Sequence, residues 1–177
     1  MNASSNSPRI RRATAADADL LSAISRDTFV DTFGHLYTPE DLAWYLDSTY
    51  APEKYRDALE EQGAAAWLLE DTPGDAWGYV FAGPCGLPHD EVRPGDLELK
   101  RLYLRQPMQN GGWGAKLFAE AEHWMRRNGP AAIWVGVWSE NLGAQRFYAR
   151  HGYEKAGEYF YAVGAARDLE FILRKSL

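Results

Sequence analysis

The run from residue 96 to residue 138 constrains the fold most. DLELKRLYL (96–104) alternates apolar and polar residues and predicts a strand. QNGGWGAKLF (109–118) places three glycines within four positions, then opens onto a helical pattern. In that pattern Trp113, Leu117, Ala121, Trp124 and Met125 form an apolar stripe, ending near Asn128-Gly129. Arg126 and Arg127 suit the negative end of its dipole. AAIWVGVW (131–138) is nearly all apolar, as in a strand covered on both faces. Strand, helix and strand form a βαβ unit, with parallel strands and a right-handed crossover.

The first of these strands carries an irregularity. Leu97 and Leu99 alternate in one phase, and Leu102 and Leu104 in the other. The pattern slips by one residue around Lys100-Arg101. A β-bulge there puts all four leucines on one face and leaves backbone groups unpaired beside the strand. The other reading has Arg101 and Tyr103 on one side of a doubly covered, regular strand. The bulge is the reading adopted.

The remaining elements follow from turn and cap chemistry. RIRRA after Pro8 predicts a short strand, and Thr14 to Asp17 a capping box with Asp at its last position. The helix that follows presents Leu20, Leu21, Ile24, Thr28 and Phe29, with Gly34 as its stop. Thr38-Pro39-Glu40-Asp41 starts a second helix, and a third runs from Pro52 to Gln62 before Gly63. Strands 64–70 and 76–82 flank an Asp/Pro/Gly turn, and residues 83–95 form a loop. NLGAQRFYARHG (141–152) is a short helix, and 153–163 and 168–175 are closing strands. The fold class is α+β, or mixed α/β.

Residues 1–8 predict a mobile tail and residues 9–177 a single domain of the 177-residue chain. The net charge of -6 argues against a general nucleic-acid binder. Cys85 is the one cysteine, so no intrachain disulfide forms, and a small buried thiol is its expected state. His35, His89, His123 and His151 lack ligand spacing, so no metal is expected. MNASSNSPRIRR has no apolar core and no run reaches membrane-span length, so no membrane is expected as partner and the cytoplasm is the expected compartment.

Glycines just before a helix let successive N–H groups converge with the free amides of the first turn, which makes an anion site. The stretch is neither a P-loop nor a dinucleotide fingerprint. Leu104, four residues, then Gln109-x-x-Gly112-x-Gly114 resembles the acetyl-CoA signature of the GNAT superfamily of N-acetyltransferases. Residues 138–153, with Asn141, Ala144, Phe147-Tyr148 and Gly152-Tyr153, resemble its second signature. The resemblance covers nearly all of residues 9–177 in element order, in the manner of bacterial members. It implies a central mixed, twisted sheet of about seven strands with helices on both faces.

The resemblance also implies roles. The amides of Gln109, Asn110, Gly111, Gly112, Trp113, Gly114 and Ala115 would hold the pyrophosphate of acetyl-CoA, with Lys116, Arg105 or Arg150 adding charge. Gly112 and Gly114 would be the hinges of that cradle, and Trp113 would anchor it to the core. Tyr103 and Leu104 would lie along the pantetheine arm, and the Leu102 amide would face the thioester oxygen. Asn141 would bond the cofactor; by residue type alone it is equally a helix cap. Tyr148 would be the acid for the departing thiolate; without the motif it reads as a core aromatic. Glu98, opposite the leucines, would be the base, or else an ordinary strand carboxylate. Asn110-Gly111 replaces a more usual basic-plus-glycine pair, which removes one positive charge near the pyrophosphate.

In this family the first two helices, their loop and the last strands wall the substrate. Here that implies Asp31, Phe33, His35 and Tyr37, with Glu98. Residues 28–46 and LELKRLYL resemble the branch that includes polyamine acetyltransferases. Asp27, Asp31, Glu98 and Glu140 could supply negative charge for a cationic amine. The expected reaction is acetylation of a small, polyamine-like primary amine. Two alternatives stay open: a protein or peptide amine as acceptor, and a CoA-binding module without turnover. A homodimer is an expected assembly, since dimers are frequent in the family.

Overall fold

The computed structural model describes residues 7–61 and 63–177. Most of the expected tail, residues 1–6, and the expected last residue of the third helix, Gln62, lie outside the described residues. In chain order come β1 (Arg9–Arg12), α1 (Ala18–Phe33), α2 (Pro39–Thr49), α3 (Pro52–Glu60), β2 (Ala65–Thr72) and β3 (Asp75–Pro84). There follow β4 (Leu97–Leu104), α4 (Trp113–Arg127), β5 (Ala132–Trp138), α5 (Leu142–Arg150), β6 (Glu154–Val163) and β7 (Ala166–Ser176). The strands make one mixed sheet in the order β1-β2-β3-β4-β5-β7-β6.

The two-residue period of the strands divides the core into two layers. Leu68, Tyr79 and Phe81 face α1, α2 and α3, where they meet Leu21, Ile24, Phe29, Tyr50 and Tyr55. Their chain neighbours Leu69 and Val80 face the other way, onto Leu117, Phe118, Ala121 and Met125 of α4 and Tyr148 of α5. The stripe read along α4 is thus its buried face. Thr38 caps α2 by accepting from the Asp41 amide. Gly34 does end α1, but without the left-handed turn of a glycine stop: its φ is −55°. The chain tightens there into one 3-10 turn, and a Cβ at Gly34 would stand 3.2 Å from Val30 Cγ1.

The middle of the sheet is irregular in a way that creates space. β3 and β4 pair Phe81 with Arg101 and Ala82 with Leu99, so Lys100 is the extra residue of a bulge. Leu97, Leu99, Leu102 and Leu104 consequently all join the α4 layer, while Tyr103 joins the α1 layer. β4 and β5 are parallel but pair only at Leu97–Ile133 and Glu98–Trp134. β5 stays paired to β7 from Ala132–Ser176 through Trp138–Glu170. Beyond Glu98 the sheet therefore parts.

Asp96 holds the closed end of this wedge. Its buried carboxylate accepts from the Ala132 amide at 3.0 Å, the Trp134 indole at 2.9 Å and the Arg93 amide at 3.1 Å. Burial alone would raise its pKa, but the indole and the two amides outweigh it and hold the carboxyl below its usual range. A depressed folded pKa gives stability that is present above the unfolded value and lost as pH falls through the folded one. Asp96→Ala strands the Trp134 and Ala132 donors. We expect it to cost about 2–4 kcal/mol in urea unfolding at pH 7, with a smaller deficit at pH 3.

Candidate active site

Where β4 and β5 part, a cavity of about 260 Å³ opens and is reached by residues of both layers. Leu99, Leu102, Ala144 and Tyr148 line it from the α4–α5 side, and Phe29, Phe33, Tyr37, Tyr45 and Tyr50 from the α1–α2 side. Phe33 spans the opening. Its ring meets Tyr103 of β4 edge-on at 6.3 Å and Trp138 of β5 edge-on at 5.7 Å. The end of α1 thus wedges an aromatic between the separated strands.

The residues read from the sequence fall into three groups. Glu98, Leu102, Tyr103, Asn141, Tyr148, Phe33 and Tyr37 all line the cavity. Leu104 and residues 109–116 lie outside it, at the end of β4 and the start of α4. Asp31 and His35 are away from it. Asp31 is two residues from both Phe29 and Phe33, so it faces outward from α1 into a separate recess with Arg105 and Trp77. His35 sits on the outward turn after α1. Asp27 is paired with Arg105 at 2.8 Å, and Glu140 is exposed.

The glycine stretch has the local form of an anion cradle. Gly112 caps α4 with φ +79°, and Asn110 adopts φ +61°. The first helical bond runs from the Lys116 amide to the Gly112 carbonyl at 3.2 Å. Among the described residues, the amides of 110–115 find no acceptor. These free donors sit at the positive end of the α4 dipole. Gln109 ties the loop to the strand by donating to the Leu104 carbonyl at 3.0 Å. The hinges are therefore Asn110 and Gly112. Gly114, expected as the second hinge, lies in the first turn of the helix, where its φ is not left-handed. Trp113 is partly buried against the α4 layer, and Lys116 Nζ lies 4.1 Å from its ring centroid. Arg105 is engaged with Asp27 and the Ala76 carbonyl.

Tyr148 is buried, and its hydroxyl has no hydrogen-bond partner among the described residues. Burial raises its pKa well above the free phenol, so it keeps its proton at every physiological pH. Asn141 caps α5 through its side-chain oxygen, which accepts from the Ala144 amide at 3.0 Å. Its amide NH₂ is left to donate. Glu98 Oε2 takes both Lys100 Nζ at 2.9 Å and the Gly86 amide at 2.9 Å. Cys85 is partly buried, and burial pushes its thiol up to about 11, which keeps it protonated near neutral pH.

Two carboxylates that the sequence reading missed also line the cavity. Both come from β7, beside Trp138. Glu170 accepts from Tyr159 Oη at 2.6 Å, and Asp168 from Tyr37 Oη. Burial raises the Glu170 pKa, the Tyr159 bond opposes this, and nearby Asp168 and Glu98 add to the rise. The strand alternation of residues 168–175 could have flagged Asp168 and Glu170 as one face. Nothing local shows that this face borders the cavity.

Residues 26–153 match the acetyltransferase (GNAT) family. An uncharacterized N-acetyltransferase from the pepI 3′ region of Lactobacillus delbrueckii subsp. lactis is 34% identical over 169 residues, 96% of this chain and 97% of that protein. An uncharacterized N-acetyltransferase of Mycobacterium bovis is 28% identical over 165 residues, 91% of this chain and 98% of that protein. Among solved structures, the PaiA N-acetyltransferase of Thermoplasma acidophilum in complex with coenzyme A aligns with a TM-score of 0.74 at 19% identity, over 97% of this chain and 99% of that one. YncA of Salmonella typhimurium, solved with acetyl-CoA, gives 0.70 at 21% identity, over 97% of this chain and 94% of that one.

The two glycines at the start of α4 separate by mutation. Gly112→Ala forces an L-residue to φ +79°. It should lower stability by about 1 kcal/mol and weaken CoA binding in calorimetry. Gly114→Ala brings a Cβ no closer than 3.6 Å to Leu104 Cδ1, so its thermal midpoint should match the wild type.

Proposed function

This chain belongs to the acetyltransferase (GNAT) family and is an acetyl-CoA-dependent N-acetyltransferase. We propose that its acceptor is a small primary amine held in the cavity where β4 and β5 part. One observation carries this reading: a single cavity gathers the unpaired edge of β4, the protonated Tyr148 phenol and the carboxylates Glu98 and Glu170. Its size suits a small molecule.

The free amides of 110–115 and the α4 dipole fit a pyrophosphate, and Gln109 keeps that loop fixed to β4. The edge of β4 beyond Glu98 lacks a strand partner, which fits an extended pantetheine arm along Leu102, Tyr103 and Leu104. Asn141 has a free NH₂ for the same ligand. Acetyl-CoA supplies the acetyl group as a thioester. The Leu102 amide lies on the unpaired stretch and serves as donor to the carbonyl oxygen.

An alkylamine with pKa of about 10 reaches the site as an ammonium and must lose a proton before it reacts. Glu170 suits the role of acceptor for that proton, because it is bonded only to a phenol and its raised pKa makes it more basic. Glu98, expected as the base, lines the same cavity with its charge matched by Lys100. Tyr148 holds a proton for the departing sulfur. These acids favour a cationic amine group, which the polyamine-like acceptor expected from the sequence shares with other small primary amines, and an amine of a folded protein fits less well in a cavity of this size.

Release of CoA thiol from acetyl-CoA, measured over a panel of amines, tests the reading. Turnover with at least one small amine is expected. Tight CoA binding with no thiol release above background would leave a CoA-binding module without catalysis. Tyr148→Phe should lower kcat at least tenfold while changing CoA affinity less than twofold. Equal losses in both would assign Tyr148 to packing.

Glu170 predicts a pH signature. It is active when ionised, and its pKa is raised, so kcat should climb with pH through a value above the ordinary glutamate range. Glu170→Gln should remove that limb and lower kcat by about 10²-fold or more. A carboxylate with a raised folded pKa loses stability as pH rises above its unfolded value. The same variant should therefore show a thermal midpoint at pH 8 no lower than the wild type.

A further inference from the structure

Arg101 sits at the bulge and lines both this cavity and a second one of about 270 Å³, whose wall includes Tyr55, Phe81 and Lys54. Its guanidinium carbon lies 4.8 Å from the Tyr50 ring centroid and 5.5 Å from those of Tyr55 and Phe81. One of its N–H groups donates to Tyr55 Oη at 2.9 Å. Among the described residues it has no carboxylate partner and no second acceptor. A guanidinium has five N–H donors and is always charged. Ring faces compensate only part of the cost of enclosing such a charge.

The other cation of the cavity is matched, because Lys100 Nζ is held by Glu98. Arg101 is thus the cavity's one cation without an anion among the described residues. The opposite imbalance exists on β7. Glu170 and Asp168 are bonded only by tyrosine hydroxyls, so neither has a cation partner among the described residues. Besides burial, Tyr103 and Tyr161 feel both charges, Arg101 lowering and Glu170 raising their pKa, so the cation and the acid lie near the same two rings. The cavity is therefore bipolar, with an unmatched cation on β4 and unmatched anions on β7.

We propose that the acceptor amine also carries a carboxylate, which pairs with Arg101: a free amino acid rather than a polyamine. This rests on the acetyl-transfer reading for its amine end. The planar guanidinium fork fits a carboxylate through two parallel hydrogen bonds. The ammonium end faces Glu170 and Asp168, and the aromatic wall receives the side chain. An acceptor lacking the carboxylate leaves Arg101 unpaired and should be rejected strongly. A polyamine would set a second ammonium against Arg101. The chemistry is that of any N-acetylation. The ammonium gives one proton to Glu170, the N–C bond forms, the thioester C–S bond breaks and the sulfur leaves with the proton of Tyr148; the second proton lost from nitrogen restores the Tyr148 phenol.

Matched acceptor pairs test the proposal: L-ornithine with putrescine, L-lysine with cadaverine, and L-phenylalanine with phenethylamine. Each is assayed for acetylated product, and each is titrated into the CoA-loaded protein by calorimetry. In at least one pair the amino acid should exceed its amine tenfold or more, in kcat/KM and in affinity. Arg101→Met should bring that ratio toward one, and Arg101→Lys, which keeps the charge and loses the fork, should lower it several-fold. If Arg101→Met does not fold, Arg101→Lys decides. Amines that equal or exceed their amino acids in every pair overturn the proposal, as does a ratio unchanged by both substitutions. The calorimetric arm is independent of turnover. Amino acids that bind selectively without being acetylated would support the Arg101 site and sink the acetyl-transfer reading.

Discussion

One extra residue in β4 shapes the rest of the molecule. Lys100 has no opposite number on β3, and the leucine pattern on either side of it is reconciled by that single insertion. The bulge turns four leucines toward α4 and leaves Glu98, Arg101 and Tyr103 for the other side. It also bends β4 away from β5, so that two parallel strands joined at Leu97 and Glu98 separate beyond them. Asp96 clamps the closed end, and Phe33 of α1 is wedged into the open one. A sheet that parts in its middle cannot be a continuous hydrophobic barrier. The gap lets side chains from two otherwise separate layers face one another.

The charges around the gap follow from this geometry. Tyr148 comes from the α4–α5 layer, where burial keeps it protonated. Glu170 comes from β7, where partial desolvation raises its pKa and only a phenol solvates it. Arg101 comes from the bulge itself and is enclosed by rings instead of acids. A core built for stability alone would replace these three with apolar residues or pair them with one another. Their separation leaves each with unused capacity for a ligand, at a cost met by the two packed layers on either side.

Much of this was legible in the sequence, because it is written in local patterns. The phase slip at Lys100-Arg101 and the βαβ run need only periodicity, and both signature stretches are contiguous. The free amides before α4 were also foreseeable, since a glycine-rich turn into an amphipathic helix has few other forms. One hinge lies elsewhere than expected: Asn110 takes the left-handed conformation assigned to Gly114, which asparagine tolerates. What failed depended on long-range placement. Asp31 and His35 share a short segment with Phe33 and Tyr37 but point outward, because the helix face and the tight turn after it set direction. Asp168 and Glu170 lie well past the last recognisable motif and reach the cavity only because β7 pairs with β5.

A crystal structure of the protein with CoA tests the central claim most directly. The account predicts the pantetheine arm in the gap between β4 and β5, beside Leu102 and Tyr103, with the pyrophosphate on the amides of 110–115 and the sulfur near Tyr148. CoA bound elsewhere, or β4 and β5 closed into continuous pairing beyond Glu98, would contradict it.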